Sequence, residues 1–101
     1  MLVCNEGMST GVLTEKMKEV AKQHDLDVKI WAVPETTVER EWKDCDVILL
    51  GPQIGYLEDN IKLIVENKKP VQTISAIDYG RINGKAVLKK ALDLIKEFDN
   101  N

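Results

Sequence analysis

Met1-Leu2-Val3-Cys4-Asn5-Glu6-Gly7-Met8-Ser9-Thr10-Gly11 is the stretch that decides the fold. An apolar run ends in a thiol, a short loop rich in Gly, Ser and Thr follows, and a helical pattern begins. Val12, Leu13, Met17, Val20 and Ala21 recur at helical spacing and place an amphipathic helix over residues 9–23, with Ser9 or Thr10 as its cap. Strand, loop and helix in that order is how α/β proteins hold an anion. The free N–H groups at the helix start converge on one point, and the helix dipole adds partial positive charge there. Thiols at such points lose their proton readily and become nucleophiles. A thiolate beside a phosphate-sized nest suggests phosphoryl transfer through sulfur.

The same alternation continues outward. Residues 26–33 read as a strand with partial alternation, ended by Pro34. Thr36 or Thr37 starts a short helix over residues 38–42. Val47-Ile48-Leu49-Leu50 is fully apolar and reads as a buried parallel strand, broken by Gly51-Pro52-Gln53. Tyr56, Leu57, Ile61, Leu63, Ile64 and Val65 mark a further helix, and residues 71–75 a last strand after Pro70. Asp78-Tyr79-Gly80 reads as a loop or turn, and Asn83 caps a closing helix through Val87, Leu88, Ala91, Leu92, Leu94 and Ile95. Strands alternating with helices predict an α/β fold: a parallel sheet covered by helices on both faces. Ligands in such sheets bind outside the carboxyl ends of the strands. The loops at Cys4, at 51–55 and at 77–80 are therefore expected on one edge.

Composition narrows the function classes. A chain of 101 residues is one small domain, and with 44% hydrophobic and 31% charged residues it is expected to be globular. A net charge of -3 argues against a general nucleic-acid binder. No apolar run approaches the ~20 residues of a membrane span. The start lacks the basic segment and long apolar core of a signal peptide, so a cytoplasmic location is expected. Cys4 and Cys45 form neither a CxxC pair nor a metal-ligand cluster, and neither metal nor cofactor is expected. The first strand has only three residues before the cysteine, so either it is short or the natural start lies further upstream.

Each candidate residue has a plain alternative. A lone cysteine is usually a small buried hydrophobe, but the position of Cys4 favours a reactive thiol. Cys45 lies between Asp44 and Asp46, whose charge opposes a thiolate, and reads as structural filler. Gly7 permits close approach of backbone to phosphate, and Ser9 and Thr10 offer hydroxyl donors; an ordinary turn and cap would use the same residues. Gln53 either stabilises its loop or reaches the site. Tyr56 reads as a packing residue, whereas Tyr79 sits where its hydroxyl can face the site. His24 is a solvated helix-end residue, and Trp31 and Trp42 belong to the core or to helix packing.

Cys4-Asn5-Glu6-Gly7-Met8-Ser9-Thr10, with Val47-Ile48-Leu49-Leu50-Gly51-Pro52-Gln53-Ile54 and Asp78-Tyr79-Gly80, resembles the IIB component of the lactose/cellobiose-type sugar phosphotransferase system of bacteria. The likeness covers essentially the whole chain, residues 1–101, as a single IIB-type domain. It implies a four-stranded parallel sheet of order 2-1-3-4 in a flavodoxin-like, Rossmann-like three-layer sandwich. It also implies a relay. A phosphohistidine on a IIA partner gives its phosphoryl group to Cys4, which passes it to a sugar held by the membrane-embedded IIC partner. By position, Cys4 is the nucleophile, and Asn5, Glu6, Gly7, Met8, Ser9, Thr10 and Gly11 cradle the phosphate. Gln53 and Tyr79 are candidate neighbours. The protein is expected to work at the inner face of the membrane through IIC and to be a monomer alone.

Glu6 stands where the family usually has a small neutral residue, and it is expected to point to solvent because a carboxylate facing the nest repels phosphate. A cysteine phosphatase or arsenate-reductase-like enzyme would place an Arg at the position of Thr10 to clamp the phosphate. A third reading is a non-catalytic interaction module on the same fold. The sugar is not named by the sequence.

Overall fold

The computed structural model describes residues 1–5 and 8–100, with the side chains of Met8 and Ser9 also outside the description. Four short parallel strands, β1 (Leu2–Cys4), β2 (Ala32–Pro34), β3 (Ile48–Leu50) and β4 (Val71–Thr73), form one sheet in the order β2-β1-β3-β4. Helices α1 (Met8–Gln23), α2 (Val38–Glu41) and α3 (Glu58–Ile64) fill the connections between strands, α4 (Ala76–Gly80) and α5 (Gly84–Asp99) follow β4, and 3₁₀ turns stand at Glu35–Thr37, Trp42–Asp44 and Pro52–Leu57.

The pleat sorts the strand residues into two cores. Leu2 and Leu49, which face each other in register, point with Ile74 toward Leu13, Met17 and Ala21 of α1 and Val87, Leu88 and Ala91 of α5. Val3, Ile48 and Leu50 point the other way, onto Val38 of α2, Trp42, Ile54 and Ile61 of α3. Successive strand side chains alternate faces, and both sets are apolar because both faces are covered. Cys4 shares the parity of Leu2 and so falls on the α1 side.

Several expectations are corrected. The strand expected over residues 26–33 enters the ladder only at Ala32–Pro34, because β2 is an edge strand whose sole neighbour, β1, begins pairing at Leu2↔Ala32. Pro34 is part of it and pairs with Cys4; an edge position spares proline a ladder hydrogen bond. The last strand stops at Thr73, and Ser75 instead caps α4, accepting a hydrogen bond from Asp78 N at 3.1 Å. The expected turn at 78–80 is therefore helical. The helix expected from Tyr56 begins at Glu58, and Tyr56 is 80% exposed rather than packed. Asn83 caps α5 as expected, accepting from Ala86 N at 3.1 Å.

Glu58 ties α3 to β4. Its Oε1 accepts from Thr73 N and from Thr73 Oγ1, each at 2.8 Å, and its Oε2 accepts from Lys62 Nζ at 3.1 Å. Burial alone would push the Glu58 carboxyl up. The hydrogen bonds from Thr73 and Lys62 outweigh burial and hold it below the usual carboxylate range. A carboxyl lowered on folding stabilises the fold above its unfolded value of ~4.3, and that contribution is lost as pH falls through the lower folded value. Urea unfolding is accordingly expected to show wild type losing stability relative to Glu58→Gln as the pH drops below the ordinary carboxylate range. A constant gap between the two proteins down to strongly acidic pH would contradict this.

Candidate functional site

The carboxyl ends of the strands bring the site together. Asn5 is an exposed bend residue directly after Cys4. Cys4 closes the central strand β1 and is 5% exposed. Burial alone would suit a structural cysteine equally well; the hydrogen bonding separates the two thiols. Thr10 Oγ1 donates to Cys4 Sγ at 2.9 Å, so this sulfur is an acceptor. Cys45 Sγ instead donates to Trp42 O at 3.1 Å. Burial pushes the Cys45 thiol up and Asp46 adds to that, which keeps it a protonated donor. It stands among Met1, Trp42, Ile48 and Val71 in the core, as a structural cysteine does.

Thr10 is not a cap. The helix begins at Met8, which puts Thr10 inside its first turn, fully buried, with its hydroxyl turned back onto the strand end. Thr14 Oγ1 anchors the same turn by donating to Thr10 O at 2.6 Å. The first turn of α1 itself carries no acidic residue to oppose the positive end of the helix. Gly11 lies in this turn with open space where a Cβ would stand. Glu6, Gly7 and the side chains of Met8 and Ser9, including the expected solvent-facing Glu6, lie outside the described residues.

Gly51 is the hub of the remaining geometry. Its N–H donates to Val3 O at 2.9 Å, extending the β1–β3 ladder by one residue to the level of Cys4. A Cβ placed on Gly51 would lie 3.0 Å from Gln53 Oε1, 3.7 Å from Cys4 Cβ and 3.7 Å from Tyr79 Cε1. Gln53, in the turn after β3, and Tyr79, on α4 after β4, thus both come close to Gly51 beside Cys4. His24 lies exposed beyond the end of α1, at the other end of the helix from Cys4.

A buried hydroxyl donating to the sulfur orients its lone pairs and stabilises negative charge on it. Thr10→Val keeps the shape and removes the donor. Hydrogen bonds to charged groups contribute about 1.5–3 kcal/mol, so any reaction through a Cys4 thiolate is expected to slow by roughly 10- to 100-fold. Alkylation kinetics of Cys4 at neutral pH, with circular dichroism to verify the fold, would check this; an unchanged rate would remove Thr10 from the site.

Fold and geometry together define a class: small, doubly wound α/β domains with a thiol at the carboxyl end of a central strand, held from the first turn of the following helix. The family model described as "PTS system, Lactose/Cellobiose specific IIB subunit" matches residues 1–90. The chain is 32% identical over 96 residues to the oligo-beta-mannoside-specific EIIB component of Bacillus subtilis, covering 94% of this chain and 93% of that protein. It is 31% identical over 100 residues to the galactose-specific EIIB component of Lactococcus lactis subsp. cremoris, covering 93% of each. The solution structure of the cellobiose-specific IIB component from Borrelia burgdorferi superposes with a TM-score of 0.78 at 30% identity, covering 95% of this chain and 91% of that one. The chain belongs to the lactose/cellobiose-specific IIB family of the sugar phosphotransferase system.

Proposed function

We propose that Cys4 is the phosphoryl carrier of a sugar-uptake relay. The Cys4 thiolate attacks the phosphorus of a phosphohistidine on a IIA partner. An S–P bond forms, the N–P bond breaks, and the imidazole leaves with the electron pair. A sugar hydroxyl held by the membrane IIC partner then attacks the same phosphorus. An O–P bond forms, the S–P bond breaks, the hydroxyl proton is released, and the thiolate is regenerated. The observation that carries this reading is the Thr10 hydroxyl bonded to a sulfur at the carboxyl end of β1, in a chain of this family.

The loop from Asn5 to Gly11 would cradle the phosphoryl group with N–H donors, and Gln53 and Tyr79 would border it. Little other side-chain chemistry is needed, since phosphoryl transfer rests on positioning and charge stabilisation. The loop contains no Arg or Lys, which disfavours a tight phosphate clamp and fits a group that must be passed on. Val12 on α1, Tyr56 after β3, and Ile77 and Ile82 in and after α4 are exposed apolar side chains on elements at this edge. They support docking of protein partners, IIA and then IIC. Among the described residues no helix is long and apolar enough to cross a membrane, so contact with the bilayer would come through IIC. The relatives above are named for different sugars at similar identity, and sugar choice is assigned to IIC.

Intact mass after incubation with a phosphorylated lactose/cellobiose-type IIA protein tests the reading. One added phosphoryl group on the protein supports it. Steady release of inorganic phosphate would indicate a hydrolase instead, and no addition from a competent donor would favour a binding module.

A further inference from the structure

We infer that Glu58 is a positioning residue for the Cys4 site, acting as a clamp between the two loops that carry Gln53 and Tyr79. The inference rests on the relay reading of Cys4.

The two loops come from different strands. Gln53 lies in the Pro52–Leu57 turn after β3, and Glu58 is the next residue of the chain. Tyr79 lies on α4, whose cap Ser75 stands two residues beyond Thr73, the end of β4. The Glu58 carboxylate spans from one to the other, with Oε1 taking both the N–H and the hydroxyl of Thr73 at 2.8 Å. The turn also leans on Thr73 through Gly55, where an added Cβ would lie 3.2 Å from Thr73 Cγ2. The Glu58 carboxylate thus supplies the hydrogen bonds that hold the turn carrying Gln53 against the end of β4, which leads into α4 and Tyr79.

A carboxylate is costly to shelter unless its lone pairs are satisfied, and here a threonine supplies both of its donors to one oxygen. A misplacement of about 1 Å at a reacting centre can cost on the order of 100-fold in rate. Loosening this clamp is therefore expected to act on transfer beyond its effect on stability.

The test compares Glu58→Ala, Glu58→Gln and Lys62→Ala at a temperature where each is folded by circular dichroism. Transfer is read as the rate of phosphoryl arrival on Cys4 from a phosphorylated IIA protein. Glu58→Ala is expected to accept about 10- to 100-fold more slowly, in maximal rate and not in half-saturating donor concentration. Glu58→Gln retains an acceptor for Thr73 and is expected to recover to within about threefold of wild type, since hydrogen-bond geometry and not charge is retained. Lys62→Ala should match wild type. The Gln53 side-chain amide and Tyr79 ring resonances should shift in Glu58→Ala and return in Glu58→Gln. A folded Glu58→Ala at wild-type rate, or Glu58→Gln as slow as Glu58→Ala, would overturn the inference. If wild type itself accepts no phosphoryl group, the relay reading fails, and the resonances decide separately: unmoved Gln53 and Tyr79 signals in Glu58→Ala would overturn the clamp.

Discussion

Cys4→Ser is expected to abolish phosphoryl acceptance, by on the order of 10⁴-fold or more, as removal of a nucleophile does in enzymes that work through one. A serine hydroxyl at this position can still take the Thr10 hydrogen bond, so the fold should survive; only the reacting atom changes. An alkoxide is far harder to form than a thiolate at neutral pH. A phosphoserine, if it formed, would be a poor donor to a sugar. Intact mass of wild type and Cys4→Ser after exposure to a phosphorylated IIA protein measures the effect directly. Cys45→Ser is the control. Its sulfur donates to Trp42 O on the opposite face of the sheet, so the substitution should leave transfer intact. Loss of transfer in Cys45→Ser with transfer retained in Cys4→Ser would reverse the assignment of the two thiols.

Among the described glycines, Gly84→Ala is expected to produce the largest loss of stability from a single added methyl group. Gly84 opens α5 against α1, and an added Cβ would lie 2.8 Å from Lys16 Cγ, 2.9 Å from Lys16 C and 3.0 Å from Met17 N. The lysine side chain can move aside, but the two backbone atoms can yield only if the helices separate. Val87, Leu88 and Ala91 would then lift from Leu13, Met17 and Ala21. Overpacking of this kind costs about 1–3 kcal/mol, and each kcal/mol lowers Tm by roughly 4–8 °C in a domain near this size. Gly11→Ala makes the contrast, because an added Cβ there meets nothing within 4 Å. At the end of the first turn of a helix that change should be neutral or stabilising by up to about 1 kcal/mol. Thermal unfolding of both variants would show whether crowding, rather than the loss of glycine itself, is what α5 resists.

What was legible in the sequence follows from how local each cause is. The apolar runs at Val47–Leu50 and Met1–Val3 announce buried parallel strands because both sheet faces are covered, and the sheet order agrees with the family resemblance. That Gln53 and Tyr79 lie on the same sheet edge is legible because each follows a strand of the same parallel sheet. Strand length was not legible at 26–33, since pairing depends on how far the neighbouring strand reaches. The helix at α4 carried a signal that was missed: Ser75 with Asp78 three residues on is a helix-start pattern. Ile82, with a φ of 51°, gave none, because β-branched residues rarely enter the left-handed region and only the tight join of α4 to α5 imposes it. Glu58 was equally silent. It reads as one more surface charge until the fold brings Thr73, fifteen residues away, against it.

The Thr73 hydrogen bond also bears on how this chain behaves in a crowd. Ile74 N bonds to Leu50 O inside the sheet, so the N–H of Thr73, one residue earlier, points off the open side of β4. An unoccupied row of such groups is a template onto which another strand can dock, copy after copy. Here the Glu58 carboxylate already sits on it. Self-association at that position would first have to displace the ionised Glu58 from Thr73. On the proposed relay, a protein that must greet two different partners in turn thereby offers its own kind one fewer place to adhere.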